Sequence, residues 1–597
     1  MDSRLRWNDN DVEIIIYIFM KNFSTLCELI SFQASNFRNE KALNFKENNQ
    51  WKSFSNQEFL NQAFYFACGL KEIGLQKSQT LAIASYQNPI WLIADYGSIL
   101  GGATTVPIFH NISKENLLYE ISDAKVQYIF TDNLELFENI KNLDLKIITY
   151  GFNKENSTSF EEIILLGKKA IDAKKYNLEL FLEAANPKDL ATIIYTSGST
   201  GTPKGVELTH QNLVSQIKDT AEFFPLFKED VVLSFLPLAH IFERMVMSFY
   251  ITQGVSIYFA NDVKDVGGLL KEVKPNLMTA VPRVLEKFYG RIRDGVEMTS
   301  GFKKCLARKA LSRALIKHPD QQKSFLDKTY DSLIYKKFRD GLGGNMRMII
   351  CGGAALSLDM ERFYKNIGVN LFCGYGLTEA SPVLAVNCPK ASKFGTIGKS
   401  FPSVELKLGE DGELLGKGPN IMRGYHNQPE KTAEVIKNGW LKTGDLAQID
   451  EEGFVKIIGR KKELFKNSNG KYISPVPIEQ KIIQNLGFLL GAIIIAEGRK
   501  FTSVLLFPDF ETLSKSKEKF KFSGSNEEFL KSKMLQDFTE EKISEINKNL
   551  DHWEQIQKFA IITKEISIES GDITPSMKLK RSVLEKKFGE VIEKFYI

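Results

Sequence analysis

Short apolar runs alternate with longer amphipathic segments along the first part of the chain. Apolar residues dominate 80–84, 126–130 and 146–150, which predicts three strands, while residues 89–100 have the apolar spacing of a helix. A turn and a further strand are predicted at 101–107. Strands that alternate with helices are typical of βαβ units in parallel sheets. The pattern predicts an α/β fold, with doubly wound sheets in a large N-terminal domain.

The pattern changes near Arg460. Before this residue, short strands and glycine turns predict a β-rich subdomain, and after it a small α+β segment extends to residue 597. A chain of 597 residues is longer than one hydrophobic core supports. We therefore predict an extension or disordered N-terminus at 1–22, an N-terminal domain at 23–459 and a mobile C-terminal domain at 460–597.

Composition narrows the class of protein. The 78 basic and 73 acidic residues give a net charge of +5, which does not favour nucleic-acid binding. The six cysteines are scattered and form no C-x-x-C pair, so neither a disulfide framework nor a zinc site is expected. No apolar run reaches the length of about 18 residues that a transmembrane helix needs. These features predict a cytoplasmic protein.

Residues 287–347 form a separate helical segment that is rich in lysine and arginine. A solvated helical face is the simpler interpretation of this composition. Peripheral contact with the anionic inner face of a membrane is the alternative, and it would suit an enzyme that handles lipids.

A stretch rich in glycine, serine, threonine and proline, YTSGSTGTPKG at 195–205, follows the apolar run at 190–194. Its composition predicts no regular strand within the stretch. Backbone N–H groups and hydroxyls of such a loop can surround phosphate oxygens, and its lysine adds positive charge. The spacing differs from that of a Walker A loop, and a flexible surface linker explains the composition equally well.

Five further motifs follow this loop in order: LPLAHIFER at 236–244, GYGLTE at 374–379, WLKTGD at 440–445, GRKKE at 459–463 and TPSMKLKR at 574–581. Together with the loop, they resemble the motifs of the adenylate-forming (ANL) superfamily. The first, fourth and fifth are similar to those of bacterial long-chain fatty acid–CoA ligases. The resemblance extends from about residue 23 to the C-terminus.

The resemblance implies the ANL fold and a two-step activation of a long-chain fatty acid. The fatty acid carboxylate attacks the α-phosphate of ATP, which gives an acyl-adenylate and releases pyrophosphate. The thiol of CoA then displaces AMP. The implied cofactors are ATP and Mg²⁺, with CoA as the acceptor substrate.

The resemblance also implies which residues bind ATP. The phosphates would contact Thr196, Ser197, Gly198, Ser199, Thr200, Gly201 and Lys204; adenine would contact Gly353, Ala354, Gly374, Tyr375 and Gly376; ribose would contact Asp445 and Arg460. Glu379 and Thr200 would hold Mg²⁺, an ion that prefers oxygen ligands. Thr378 would contact the α-phosphate.

The remaining implied residues act on the acyl group and on the C-terminal domain. Lys578 would neutralise charge that builds on the α-phosphate and carboxylate oxygens, although Met577 stands where many relatives have glycine and Lys580 offers another register. His240 would position the acyl carboxylate. Lys462 would be the hinge of a domain rotation that brings the loop around Gly470 to the adenylate.

Local sequence leaves ordinary alternatives for several of these residues. Asp445 could be a turn residue, Arg460 a surface ion pair, His240 a core histidine and Glu379 a carboxylate at the start of a helix.

Three other functions are compatible with parts of the pattern. An acyl-acyl-carrier-protein ligase would use a different acceptor, and a fatty acyl-AMP ligase would stop at the adenylate. Relatives of the second kind carry an insertion near the domain boundary, and none is evident between Arg460 and Ile473. A non-catalytic nucleotide or lipid binder is disfavoured because Lys578, Glu379 and Asp445 are all present. A homodimer is a further expectation.

Overall fold

The computed structural model describes residues 23–197, 202–466, 472–574 and 577–597, without the side chains of Ser197, Lys462, Lys466 and Tyr472. Most of these residues belong to two large mixed sheets covered by helices, and the predicted α/β class is confirmed. The predicted extension at 1–22 lies outside the described residues.

Strands within the described residues are numbered β1 to β27. They are β1 (Leu43–Glu47), β2 (Gln50–Phe54), β3 (Thr80–Ala84), β4 (Thr104–Pro107), β5 (Tyr128–Thr131), β6 (Lys146–Thr149), β7 (Ser157–Ser159), β8 (Leu190–Ser197), β9 (Pro203–Thr209), β10 (Val231–Ser234), β11 (Ser256–Phe259), β12 (Leu277–Ala280), β13 (Met348–Cys351), β14 (Asn370–Gly376), β15 (Val383–Val386), β16 (Lys399–Ser400), β17 (Glu405–Leu408), β18 (Glu413–Lys417), β19 (Gly424–Tyr425), β20 (Ile436–Lys437), β21 (Trp440–Ile449), β22 (Val455–Arg460), β23 (Phe465–Lys466), β24 (Tyr472–Ile473), β25 (Leu489–Ile495), β26 (Thr502–Pro508) and β27 (Ile556–Ile561).

Helices in the same residues are numbered α1 to α22. They are α1 (Leu26–Asn36), α2 (Asn56–Glu72), α3 (Pro89–Leu100), α4 (Lys114–Asp123), α5 (Leu134–Ile140), α6 (Phe160–Asp172), α7 (Leu178–Glu183), α8 (His210–Phe223), α9 (Ile241–Thr252), α10 (Val266–Val273), α11 (Pro282–Met298), α12 (Gly301–Ile316), α13 (Phe325–Tyr330), α14 (Lys336–Asp340), α15 (Leu358–Asn366), α16 (Pro429–Val435), α17 (Pro475–Leu486), α18 (Leu513–Lys519), α19 (Asn526–Lys531), α20 (Lys533–Asn547), α21 (Arg581–Lys587) and α22 (Gly589–Glu593).

The two large sheets are mainly parallel. One has the order β19-β9-β8-β4-β3-β5-β6-β7, and the other has the order β16-β15-β14-β13-β12-β10-β11-β1-β2. In the second sheet β11, β10, β12, β13 and β14 run parallel, and β15 turns back antiparallel to β14. Ligands in sheets of this kind bind beyond the carboxyl ends of the parallel strands, so a ligand site is expected at the end of β14.

The predicted elements of the first sheet are confirmed. Residues 80–84 form β3 and residues 89–100 form α3, while β5 and β6 cover most of 126–130 and 146–150. Helix α3 begins where it does because the side chain of Asn88 accepts hydrogen bonds from the N–H groups of Ile90 and Trp91, and Pro89 occupies the first turn.

The prediction that 195–205 holds no regular strand is wrong. Strand β8 continues to Ser197 and β9 begins at Pro203, with Tyr195 opposite Gly205 and Thr196 opposite Lys204. Each of these two strands is stabilised by hydrogen bonds to the other, and the composition of the stretch gives no sign of this pairing. Residues 198–201, between these two strands in the sequence, lie outside the described residues.

A smaller five-stranded sheet, made by β17, β18, β20, β21 and β22, follows the large sheets and corresponds to the predicted β-rich subdomain. The last part of the chain forms a three-stranded sheet, β25-β26-β27, covered by helices. Its apolar core begins at Phe465, whereas the cores of the preceding part include residues only up to Ile457. The predicted domain boundary at residue 460 falls between these two positions.

Residues 287–347 are helical, as predicted, and contain most of α11 together with α12, α13 and α14. Among the described residues, no helix combines the length and the apolar character that are needed to cross a bilayer.

Candidate active site

The motif GYGLTE lies at the carboxyl end of β14. Gly374, Tyr375 and Gly376 are the last residues of the strand, and Thr378 and Glu379 open a short 3-10 turn directly after it. A Cβ on Gly376 would lie 1.8 Å from the carbonyl oxygen of Pro382, so only glycine fits between β14 and the segment that turns back from it. This close approach fixes where Tyr375 and Glu379 leave the sheet.

Tyr375, Asp445 and Arg460 form one hydrogen-bonded group. The Tyr375 hydroxyl donates to Oδ2 of Asp445 at 2.5 Å, and Nε of Arg460 donates to Oδ1 at 3.2 Å. Burial and the neighbouring Asp445 raise the pKa of Tyr375 well above its usual value, so its proton stays on the hydroxyl. Each oxygen of Asp445 keeps a further lone pair, which could accept a hydroxyl of a bound ribose.

Asp445 is not a turn residue, contrary to the alternative that local sequence allowed. It lies within β21, opposite Arg460 on β22, and its backbone N–H is bonded to the hydroxyl of Thr443 at 3.1 Å. The adjacent Gly444 has a φ of +76°. Glycine can adopt this backbone angle within a strand, so the T-G-D sequence does not form a turn here.

Glu379 is held by a residue that the sequence analysis did not identify. The hydroxyl of Tyr425 donates to Oε1 of Glu379 at 2.7 Å, and Nζ of Lys204 lies 4.3 Å from the centre of the Tyr425 ring. Tyr425 is buried and lies on β19, which pairs with β9. One tyrosine therefore touches both the predicted phosphate lysine and the predicted metal carboxylate. Its signal in the sequence was weak, since a lone Gly-Tyr pair is common in strands.

The arrangement around Glu379 fits Mg²⁺. Oε2 of Glu379 is not engaged by any residue that the structure describes, and the same residues include no cluster of three or more His, Cys, Asp or Glu side chains able to hold a metal. A single carboxylate that leaves most positions to water and phosphate oxygens is a common setting for Mg²⁺.

Lys578 reaches the first part of the chain from the C-terminal part. Its Nζ donates to the carbonyl oxygen of Gly353 at 2.9 Å, although part of the side chain remains exposed. Burial of the ammonium and the positive charge of Arg460 lower the pKa of Lys578 from its usual 10.5. The lysine is thus brought to the loop after β13, where Gly353 and Ala354 lie exposed. Lys580, the alternative register, instead precedes helix α21.

His240 lies at the start of α9, close enough to Lys578 for the charge of the lysine to affect it. Burial, followed by the nearby Lys578, lowers the pKa of His240 to about 4, so the imidazole is neutral near pH 7. Its Nδ1 accepts the N–H of Phe242 at 3.2 Å, which leaves the proton on Nε2. A neutral imidazole with a free N–H could donate a hydrogen bond to a carboxylate oxygen.

Some predicted site residues lie outside what the structure describes. These are Gly198, Ser199, Thr200, Gly201 and Gly470, together with the side chains of Ser197 and Lys462. Thr196 is described, and its hydroxyl donates to the carbonyl oxygen of Lys204 at 3.5 Å across the hairpin.

Two family models match the chain. The model of the AMP-binding enzyme matches residues 30–426, and the model of the AMP-binding enzyme C-terminal domain matches residues 463–597. The first covers well over half of the chain.

Curated relatives align along nearly the whole chain. A long-chain-fatty-acid–CoA ligase of Mycobacterium bovis, FadD15, is 32% identical over 565 residues, which are 92% of each chain. Long-chain-fatty-acid–CoA ligase 1 of Homo sapiens is 30% identical over 581 residues, which are 92% of this chain and 82% of the human protein.

Solved structures share the fold. The adenylation domain of a carboxylate reductase from Mycobacterium chelonae has a TM-score of 0.75 at 18% identity, with 99% of this chain and 97% of that one covered. O-succinylbenzoate coenzyme A synthetase from Bacillus subtilis, in complex with ATP and magnesium, has a TM-score of 0.64 at 20% identity, with 93% and 99% covered.

Proposed function

The chain belongs to the AMP-binding enzyme family, and from this premise we propose that it is a long-chain-fatty-acid–CoA ligase. The enzyme forms an acyl-adenylate from a fatty acid and ATP, and then a thioester with CoA, releasing pyrophosphate and AMP. The names of its curated relatives support this assignment. The observation that carries it is the hydrogen bond from Lys578 to Gly353, because it brings the lysine of the last motif to the same cleft as His240, Tyr375 and Asp445.

The ATP would be bound by three groups of residues. Asp445 accepts hydrogen bonds from the ribose hydroxyls, and Arg460 lies beside the ribose. Adenine would lie on a flat surface made by Tyr375, Gly353, Ala354, Gly374 and Gly376. The hairpin of β8 and β9, with Thr196 and Lys204, surrounds the phosphates, and residues 197–201 belong to the same proposal. These contacts orient the α-phosphate, and orientation is the main contribution of a protein to displacement at phosphorus.

Mg²⁺ would be held by Glu379 together with Thr200. When bound, the ion neutralises phosphate charge. Tyr425 keeps the carboxylate of Glu379 in place. Thr378 precedes Glu379 in the same short turn and would contact the α-phosphate.

Lys578 and His240 would act on the reacting oxygens. His240 donates its Nε2–H to one oxygen of the fatty acid carboxylate and so directs the other toward phosphorus. The Lys578 ammonium stabilises negative charge that develops between the carboxylate and the α-phosphate in the transition state. Neither residue forms a covalent bond during the step.

The second step needs a different position of the C-terminal domain. In the conformation described here Lys578 occupies the cleft, which suits adenylate formation. Rotation about Lys462 would withdraw Lys578 and bring the loop around Gly470 to the adenylate, where the CoA thiol displaces AMP. The boundary between the two domains at residue 460 is part of this proposal.

We place the enzyme in the cytoplasm, with peripheral access to membrane lipid. The basic helical segment at 287–347 supports that access. A homodimer remains a prediction, and analytical ultracentrifugation of the purified protein would decide it.

Product analysis by mass spectrometry tests the proposed function. The purified enzyme is incubated with ATP, Mg²⁺ and fatty acids of increasing length, with CoA, with a phosphopantetheine-bearing acyl-carrier protein, or with neither. We expect acyl-CoA, formed best from long chains. Acyl-carrier-protein thioester alone would identify the other acceptor, and adenylate alone would identify an enzyme that stops after the first step.

The role of Lys578 is tested by separating the two steps. Lys578→Ala should lower ATP–pyrophosphate exchange about 100-fold or more, since it removes a charge that stabilises the transition state. Thioester formation from added acyl-adenylate should remain near the wild-type rate. Lys580→Ala is the matched control, and an equal loss in both variants would contradict the assignment of Lys578.

A further inference from the structure

The basic helical segment presents unusually exposed apolar side chains. Met298, Phe302, Ile316 and Phe325 are 88%, 81%, 75% and 86% exposed, and apart from the C-terminal Ile597 they are the most exposed large apolar side chains among the described residues. All four lie between the end of α11 and the start of α13. We call the surface that they form, with the lysines between them, the docking face.

Helix α12 orients the docking face outward. Phe302, Cys305, Lys309 and Ile316 recur at intervals that place them on one side of an α-helix, and all four are exposed. The opposite side carries Ala307, Ala310, Leu311 and Ala314, which are buried. The exposure of the two apolar side chains is thus a property of the packed helix rather than of a loose end.

Ion pairs fix the neighbouring apolar residues at the two ends of α12. Glu297, next to Met298, binds Arg308 and Lys304, and Asp327, two residues after Phe325, binds Arg313 and Lys317. The end of α11, which carries Met298, is therefore held to the first half of α12, which carries Phe302. The start of α13, which carries Phe325, is held to the last turn of α12, which carries Ile316. These two apolar clusters are separated by about 21 Å along the helix, at 1.5 Å per residue.

The docking face is strongly basic. Residues 298–325 contain seven Lys and Arg against one Asp, whereas the whole chain has a net charge of only +5. Lys303 and Lys309 on α12, and Lys323 after it, form no ion pair with a carboxylate in the part of the chain that the structure describes. Positive charge thus surrounds two protruding apolar clusters.

We propose that the docking face binds the surface of an anionic lipid bilayer. The apolar side chains would enter the boundary between head groups and acyl chains, and the lysines would contact the anionic head groups. Apolar side chains that protrude from a helix into solvent suit a soft, extended surface better than a groove-forming protein partner. This inference rests on the proposed function, because a fatty acid substrate partitions into membranes.

One helix connects the docking face with the candidate active site. Helix α11 begins at Pro282, next to Val281, whose side chain lies 3.5 Å from the Cβ position of Gly353. It ends at Met298, about 25 Å away at 1.5 Å per residue. Docking would therefore place the active site close to the lipid surface without burying it.

Cys305 allows a direct test on the intact protein. It is the exposed cysteine of the docking face, and the other five cysteines are buried or half-buried. We would label it with an environment-sensitive fluorophore and add vesicles of phosphatidylcholine, with or without phosphatidylglycerol. We expect a blue shift with the anionic vesicles, which weakens as salt is added, and little response to phosphatidylcholine alone.

Removing the apolar side chains should abolish most of the binding. The double variant F302S/F325S should bind anionic vesicles at least about tenfold more weakly in flotation, since two apolar rings no longer enter the bilayer. Leu180→Ser is the matched control, because Leu180 on α7 is 63% exposed and lies outside the docking face. We expect this control to bind as the wild type does.

Activity on detergent-dispersed fatty acid separates this inference from the proposed function. F302S/F325S should keep the wild-type rate there, which also shows that it is folded. If the protein bound vesicles but had no ligase activity, the proposed function would be wrong and the proposed docking face would still hold. The proposed docking face would be wrong if the wild-type protein did not bind anionic vesicles, or if the double variant bound them as tightly as the wild type. If the face instead joins two copies of the chain, ultracentrifugation would show self-association that the double variant loses.

Discussion

Tyr425 connects two predicted ligand-binding residues through two different parts of its side chain. Its hydroxyl binds Glu379, and its ring lies beneath Lys204. Tyr425→Phe removes only the first contact. A hydrogen bond to a charged group contributes about 1.5–3 kcal/mol, so the Mg²⁺ concentration for half-maximal activity should rise about tenfold or more. The ATP concentration dependence at saturating Mg²⁺ should change less.

A distant tyrosine provides the control for this prediction. Tyr176 also donates to a glutamate, Glu72, at 2.7 Å, but this bond is exposed at the end of helix α2. Tyr176→Phe should leave the Mg²⁺ dependence unchanged. An unaltered Mg²⁺ dependence in Tyr425→Phe would show that Glu379 does not need this bond.

Glu243 is a buried acid, and among the residues that the structure describes it has no counter-ion. It accepts hydrogen bonds from Ser234 at 2.6 Å and Thr279 at 2.8 Å, and burial raises its pKa from 4.5 to about 7. The folded state therefore holds its proton over a pH range in which the unfolded chain has lost it. As pH rises from 4.5 to 7, this difference lowers the stability of the folded state, and above 7 the loss is complete.

Glu243→Gln should remove that pH dependence. Relative to the wild type, the variant should gain up to about 3 kcal/mol of stability between pH 4.5 and pH 8. Calorimetric unfolding at the two pH values measures the difference. Glu434→Gln, at an exposed position on α16, is the control and should gain nothing. Parallel pH profiles of wild type and Glu243→Gln would refute the prediction.

At the scale of elements, the junction of β14 and β15 determines the geometry of the site. Residue 376 lies where the pairing of the two strands becomes irregular, and its missing side chain lets the Pro382 carbonyl approach. Gly376→Ala should destabilise the protein by about 3 kcal/mol, because the added methyl meets backbone that has no room to move. Weaker ATP binding should accompany the lower unfolding temperature.

Gly268 on α10 is the matched glycine. Apart from its chain neighbours and the backbone of its own helix, no atom of the described residues lies within 4 Å of its Cβ position. Gly268→Ala should change stability by no more than about 1 kcal/mol, in the favourable direction, since alanine is the better helix former. If Gly376→Ala unfolded at the same temperature as Gly268→Ala, the close approach would be less rigid than the structure indicates.

At the scale of the whole molecule, a few polar contacts hold the two parts of the chain in this arrangement. Arg283 donates to the carbonyl oxygen of Leu490 at 2.7 Å and to Asp509 at 2.9 Å, and Gln480 donates to the carbonyl oxygen of Ala355 at 2.5 Å. These contacts keep Lys578 in the cleft. Polar contacts of this kind are typical of interfaces between domains that move relative to each other.

Arg283→Ala should favour the other arrangement. Adenylate formation, measured by pyrophosphate exchange, should slow by about tenfold, and thioester formation from added adenylate should be no slower. Lys264→Ala is the control, since Lys264 and Glu511 form an exposed pair across the same interface at 3.5 Å that contributes little. Equal slowing of both steps in Arg283→Ala would argue against two functional arrangements.

Local pattern determined the fold class and much of the element order. Residues 80–84 and 89–100 became β3 and α3, because apolar spacing and an Asn-Pro start act within a few residues. The order of six motifs likewise indicated the family before any contact was known. The expectation for 195–205 failed because it ignored the strand partner, which lies across the hairpin.

Only the tertiary structure decided which residues meet. Tyr425 touches Glu379 across 46 positions, and Lys578 touches Gly353 across 225. Packing also decides that Asp445 lies in a strand and not in a turn. It likewise decides that Glu243 is buried and which side of α12 faces solvent. Short-range sequence specifies what each segment can form, whereas the position of a side chain relative to distant segments is fixed by the burial and pairing of the whole chain.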